Sequence, residues 1–211
     1  MSDANLFDYL MDAVCKGDED TVLSLLLTSE VNINGECQYG STVLICAAIN
    51  GTESMVSLLI DKGADINMKN SNDGLTALIY AAAHSSESMA TLLLDRGANI
   101  EIKSNSGSTA LMYAARNNED GMASLLVNRG ADINVKDNDG STALICAAQF
   151  SKDSMVSLLI DRGADVNIQS NDDGSTALIY AARNSNESVT SLIIERGADI
   201  NVKKMTMETL L

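Results

Sequence analysis

Proline and tryptophan are absent from the 211 residues, phenylalanine occurs twice, and aromatic residues make up 3% of the chain. That scarcity fits a stack of helices in small-residue contact. Histidine occurs once, at His84, so neither a His-based catalytic triad nor a multi-His metal site can be assembled. No stretch approaches the ~20 apolar residues of a membrane span. The opening Met-Ser-Asp-Ala-Asn lacks the basic and apolar regions of a secretory signal. Positive charge is also short: 14 Lys and Arg stand against 29 Asp and Glu, a net charge of -15. Nucleic-acid binders carry a basic face, so direct nucleic-acid binding is disfavoured.

What is present is repetition. The pattern Gly-x-Thr-Ala/Val-Leu starts at Gly40, Gly74, Gly107, Gly140 and Gly174. The pattern Gly-Ala-Asp/Asn-Ile/Val starts at Gly63, Gly97, Gly130, Gly163 and Gly197. Both series step by 34, 33, 33 and 34 residues, and a fixed period in that range marks units that bury their apolar faces against their neighbours.

The unit from Gly140 to Asn167 shows the physics. Thr142 precedes an apolar run, where its hydroxyl can accept a free N–H at a helix start. Ala143, Leu144, Ala147 and Ala148 recur at helical spacing, and the alanines admit a close neighbour. Met155, Val156, Leu159 and Ile160 form a second helical stripe, with Asp153 in the first turn and Arg162 in the last, signs that suit the helix dipole. Gly163 then stops the helix in a left-handed conformation. The chain runs on, extended, through Ala-Asp-Val-Asn to a Gly/Asn/Asp-rich turn.

These residues resemble the ankyrin repeat: Gly-x-Thr-x-Leu, the paired alanines, the Leu-Leu of the second helix and Gly-Ala-Asp-Val/Ile-Asn. The resemblance covers essentially the whole chain. It implies an all-α ankyrin-repeat solenoid of about six helix-turn-helix units with extended, β-hairpin-like fingers. Two departures are consistent. The family usually has Pro where Val43, Ala77, Ala110, Ala143 and Ala177 stand, and His where Ile45, Ile79, Met112, Ile145 and Ile179 stand. In the family that His ties neighbouring repeats by hydrogen bonds. Here burial of Ile or Met has to substitute, at roughly 1.5–3 kcal/mol per side chain.

The expected order is a single elongated domain over 1–211. Residues 1–34 form an N-terminal capping repeat, acidic and without its own leading finger; 35–67, 68–101, 102–134, 135–167 and 168–201 form repeats two to six. Residues 202–211 are the truncated start of a seventh repeat or a partial C-terminal cap, with Thr209 and Leu211 where a seventh first helix would begin. Repeat six lacks an obviously polar outer face, so weak self-association through that end is an expectation. A second periodicity runs at an offset of 100: Cys-Ala-Ala and Ser-Met-Val-Ser-Leu-Leu-Ile-Asp occur in both 40–67 and 140–167. It points to duplication of a three-repeat block, whose halves should superpose.

Chemistry-bearing residues give no enzyme. The 4 cysteines show no Cys-x-x-Cys spacing; Cys46 and Cys146 share a repeat position with Tyr80, Tyr113 and Tyr180, so they read as packing residues, while Cys15 and Cys37 are irregular. Cys46 and Cys146 sit three repeats apart, and helices pack ~8–10 Å apart, too far for a bond between those two sulfurs. Reduced thiols point to a reducing, intracellular chain, cytoplasmic in expectation. No Walker or Rossmann glycine pattern appears. Thirteen of the 29 acids repeat at three unit positions, which suits solvation rather than one active site. Neither cofactor nor metal is expected.

What differs between units marks the binding surface. After each alanine pair stand Ile49/Asn50, Ala83/His84, Arg116/Asn117, Gln149/Phe150 and Arg183/Asn184. The resemblance implies that these positions, with the finger tips, line a concave groove. The fingers add Lys69, Lys103, Lys136 and Lys203, a row interrupted by Gln169, with Asp73, Asp137, Asp139, Asp172 and Asp173 close by. Phe150 stands where other units are polar or small, and aromatics and Arg dominate interface hot spots. It either meets a partner or folds onto the neighbouring finger. Asn67, Asn134, Asn167 and Asn201 close Asp-Ile/Val-Asn segments, which resembles the ankyrin context of asparagine hydroxylation. The expected function is a non-catalytic module that binds a partner protein in the groove, without nucleic acid or membrane. One alternative is an acidic surface that engages basic partners or mimics nucleic acid. Another is a regulatory or assembly segment of a larger protein.

Overall fold

The computed structural model describes residues 3–28, 31–50, 52–150 and 152–202. Its contacts divide the chain into two compact units, Met1–Asn105 and Ser106–Leu211. The first holds α1 (Asp3–Lys16), α2 (Glu19–Thr28), α3 (Val43–Ile49), α4 (Glu53–Asp61), α5 (Ala77–Ala83) and α6 (Glu87–Asp95). The second holds α7 (Ala110–Asn117), α8 (Asp120–Asn128), α9 (Ala143–Gln149), α10 (Asp153–Asp161), α11 (Ala177–Arg183) and α12 (Glu187–Glu195). In both units each repeat is a pair of helices that follow one another in sequence and pack together, and the first helices of successive repeats pack on one another: α1 on α3 and α3 on α5, then α7 on α9 and α9 on α11.

Small side chains make that stacking close. Ala47, Ala48, Ala81 and Ala82 are buried in the first unit, and Ala114, Ala115, Ala147 and Ala148 in the second. The positions where the family carries His are apolar and buried: Ile45, Ile79, Met112 and Ile145 are each 1% exposed. Ile179, in the last repeat, is half-buried. The first helices start as the sequence indicates. Thr42, Thr76, Thr142 and Thr176 each accept the N–H three residues on, from Ile45, Ile79, Ile145 and Ile179. Thr109 occupies the same place without that bond. One detail differs at the other end. Lys62, Arg96, Arg129, Arg162 and Arg196 are C-cap residues, one position beyond the last helical turn. Each still stands at the negative end of the helix dipole.

The fingers are tight turns. Among the described residues the one β-bridge joins Glu36 and Thr42. Four of the turns close on a short backbone bond, among them Asn70 N–H to Leu75 O at 2.9 Å and Asp137 N–H to Ser141 O at 2.9 Å. Successive fingers are tied by a second backbone bond. In the first unit Ser71 N–H donates to Gly40 O at 3.0 Å and Asn105 N–H to Asp73 O at 2.8 Å. In the second, Asn138 N–H donates to Ser106 O at 3.1 Å and Asn171 N–H to Asp139 O at 2.7 Å. These ties, with the buried Ile and Met, join successive repeats within each unit. The 100-residue offset recurs in the bonding: Arg96 Nη1 meets Asp61 Oδ1 at 2.9 Å, and Arg196 Nη1 meets Asp161 Oδ1 at 2.6 Å.

Two glycines separate the effects of backbone conformation and crowding. Gly140 has φ +76°, and a Cβ there would lie 2.5 Å from the backbone nitrogen of Asn171 in the next finger. Gly163 has φ +94° with nothing within 4 Å. Gly163→Ala is therefore expected to lose about 1 kcal/mol from left-handed strain, and Gly140→Ala at least about 2–3 kcal/mol because the finger tie must also move. Urea unfolding of the two variants checks the order.

Candidate functional site

The variable positions after the alanine pairs lie at the C-terminal ends of the first helices. In the second unit Phe150 is the C-cap residue of α9, and it leaves half its surface exposed, 51%. Gln149, the last residue of α9, is also exposed. Gln149 lines a polar cavity of about 140 Å³ together with Arg116, Asp137, Cys146 and Tyr180. Phe150 thus stands beside a polar recess whose walls come from three consecutive repeats.

The charges in that recess are held in place. The Asp137 carboxylate is 3% exposed; one oxygen accepts the N–H groups of Asp139 and Ser141, and the other meets Arg116 Nη2 at 3.3 Å. The guanidinium of Arg116 also lies 5.8 Å from the Tyr113 ring centroid. Arg183 repeats the arrangement, at 3.3 Å from Asp173 and 5.5 Å from the Tyr180 ring. Each arginine is thereby braced by a finger carboxylate and by a tyrosine one helical turn back. Burial pushes the Cys146 thiol up, and Arg116 pulls it in the opposite direction. Burial likewise raises Tyr180, with Asp173 adding to the effect.

Other predicted site residues are occupied by the scaffold. Asn184 Nδ2 donates to Ala148 O at 3.2 Å and Gln149 O at 2.8 Å, closing the end of α9. Lys136 Nζ donates to Gln169 O at 2.9 Å, joining two fingers. Asn117 is exposed. In the first unit Ile49 is 48% exposed, Asn50 caps α3, and Lys69 and Lys103 are exposed. His84 is the C-cap of α5 and stacks on Tyr80, ring centroids 6.4 Å apart and planes 3° from parallel. Lys203 and the 205–211 cap lie outside the described residues.

Comparison with known proteins settles the family. A family model of ankyrin repeats matches residues 10–104, 70–137 and 111–204. The chain belongs to the ankyrin-repeat family. Its fold is similar to the crystal structure of the ankyrin repeat domain of Bcl-3, described as a unique member of the IκB protein family. The TM-score is 0.84 and the identity 31%, over 92% of this chain and 88% of that one. No curated protein sequence matches the chain. Ankyrin repeats are in general protein–protein interaction modules.

The asparagines that end these ankyrin repeats have a structural role that the sequence pattern did not disclose. The side-chain oxygen of Asn67 accepts Asn99 N–H at 2.7 Å, that of Asn134 accepts Asp165 N–H at 2.9 Å, and that of Asn167 accepts Asp199 N–H at 2.8 Å. Each joins its repeat to the next. Asn201 is exposed. No described helix is long and apolar enough to cross a membrane. No group of three or more His, Cys, Asp or Glu among the described residues has the placement to hold a metal.

Asp137 was named in the sequence only as one acid among several finger residues. Its burial is foreshadowed by its column, Cys37, Asn70, Ser104, Asp137 and Ser170, small side chains at the start of each finger. Asn70 does the same work, accepting Leu75 N–H at 2.8 Å. Asp137→Ala removes two backbone acceptor bonds and strands Arg116, so it should destabilise the protein by about 2–4 kcal/mol. Arg183→Ala breaks an exposed pair and should change stability by under about 1 kcal/mol. Thermal unfolding of both variants checks the contrast.

Proposed function

We propose that this chain is a non-catalytic binding module that holds a segment of a partner protein on the exposed first-helix ends of its second unit, with Phe150 as the anchor. The observation that carries the reading is the half-exposed ring of Phe150 beside the recess built by Arg116, Asp137 and Gln149. A half-exposed aromatic at a fixed helix end gains about 1–1.5 kcal/mol when a partner buries the rest of it. Arg116 and Arg183, held by their carboxylates, are pre-ordered donors beside it, so little side-chain entropy is lost on binding. Ile49, Asn50, Lys69, His84 and Lys103 offer the first unit's equivalent surface. In this reading the protein works in the cytoplasm, where its thiols stay reduced.

The acidic alternative has its own support in the net charge of -15. It separates from the groove reading by salt. Charge-driven association weakens steeply as ionic strength rises and the screening length shortens, whereas burial of Phe150 does not. A regulatory or assembly segment of a larger protein would use the same surface.

Affinity capture with wild-type protein, with Phe150→Ala and with Phe150→Ala/Arg183→Ala tests the proposal. Partners identified with the wild type should bind the single variant at least about tenfold more weakly, a loss of ~1.4 kcal/mol, and the double variant more weakly still. Equal capture by all three proteins would remove the surface assignment. Binding that vanishes at high salt but ignores Phe150 would favour the acidic reading.

A further inference from the structure

Three of the four cysteines converge in the first unit. Cys15, Cys37 and Cys46 line one cavity of about 410 Å³, with Asp8, Met11 and Tyr39 among the other walls. Cys15 comes from the last turn of α1, Cys46 from the middle of α3, and Cys37 from the finger that precedes α3. The two helices pack directly on each other. Cys46 stands where other repeats carry Tyr or Cys, Cys37 stands in the column of Asn70, Ser104, Asp137 and Ser170, and Cys15 stands one repeat before Ile49. Their equivalents Arg116, Asp137 and Cys146 also line one recess, but only here are all three residues thiols.

We propose that Cys15 and Cys46 are a redox pair: a hydroperoxide oxidises Cys15, and Cys46 closes a reversible disulfide that fastens α1 to α3. All four cysteines are free thiols here, so the pair starts reduced. Cys15 is exposed, whereas Cys46 is half-buried, and both line the same cavity. Cys46 is pushed up to about 12, first by burial and then by the neighbouring Cys15 and Cys37 thiols. It therefore stays protonated, and the solvent-facing Cys15 meets the oxidant first.

The chemistry balances in two steps. The Cys15 thiolate attacks one peroxide oxygen, the O–O bond breaks, and the departing oxygen leaves as water or an alcohol after taking a proton. Cys15 is then a sulfenic acid. The Cys46 sulfur attacks it, the S–S bond forms, the S–O bond breaks, and the hydroxyl departs with the Cys46 proton as water. Two thiols are oxidised and one hydroperoxide is reduced. The product joins the first repeat to the second covalently, adding to helix packing and to the hydrogen bond from Asp65 N–H to Asn34 Oδ1. A thiol reductant reverses it.

The test is hydrogen peroxide treatment of the full chain, blocking of remaining thiols with N-ethylmaleimide, and peptide mass mapping without and with dithiothreitol. The expected result is an intramolecular Cys15–Cys46 peptide, lighter than the two reduced peptides by two hydrogens and lost on reduction. Cys146→Ser, which alters only the second unit, should give the same link. In Cys46→Ser the Cys15–Cys46 link disappears, and dimedone labels Cys15 as the trapped sulfenic acid unless Cys37 captures it. The wild-type map decides the matter even where a variant folds poorly. A wild-type Cys15–Cys37 link, links only between molecules, or Cys15 oxidised to sulfinic acid without any link would each overturn the proposal.

Discussion

Each finger in this protein gives its successor a backbone hydrogen bond, and that tie sets the spacing of everything attached to it. Asn105 reaches back to Asp73 in the first unit, and Asn171 reaches back to Asp139 in the second. The approach is so close that a side chain on Gly140 has no room against the Asn171 backbone. Beneath the fingers, buried alanines let the first helices pack against one another. Side-chain amides add a further tie: the oxygens of Asn67, Asn134 and Asn167 each accept an N–H of the following repeat. A repeat built this way has little core of its own. Most of what stabilises it lies in the interface with its neighbour.

The same constraint explains the character of the candidate surface. The residues that follow each alanine pair cannot turn inward, because the pair fills the space between stacked helices. Phe150 and Ile49 therefore stay about half exposed. Arg116 and Arg183 take the alternative available to long cations, lying over a tyrosine and pairing with a finger aspartate. Variation at these positions changes exposed side chains without disturbing the stack. Variation at Asp137 does not share that freedom, since its carboxylate shapes the finger from inside.

Much of the fold was legible in the sequence because periodic signals point one way at every unit. Thr142 before Ala143-Leu144 marks a helix start, and the structure puts its hydroxyl on Ile145 N–H at 3.3 Å. Ile145 at the family's histidine position was expected to be buried, and it is. The finger ties were not legible, since a bond between two backbones leaves no side-chain signature. The roles of Asn67 and Asn134 were hidden for a related reason: a residue that recurs in most units looks like pattern until its partner, 31 or 32 residues on, is seen. Of the surface, the positions were legible but their engagement was not. Nothing in the sequence distinguishes Asn184, spent on the end of α9, from Asn117 or Asn50. The convergence of Cys15, Cys37 and Cys46 depends on packing of the irregular first repeat against the second, which spacing alone does not specify.

The dependence of each repeat on its neighbour is open to a direct measurement. A peptide of residues 135–167 contains one complete finger and both helices, α9 and α10, and nothing to stack against. Short helices of this length are marginal in water without tertiary contacts. Its far-ultraviolet circular dichroism should show little helix and no cooperative thermal transition, in contrast to the full chain. A helical spectrum that melts cooperatively in the isolated peptide would contradict the account.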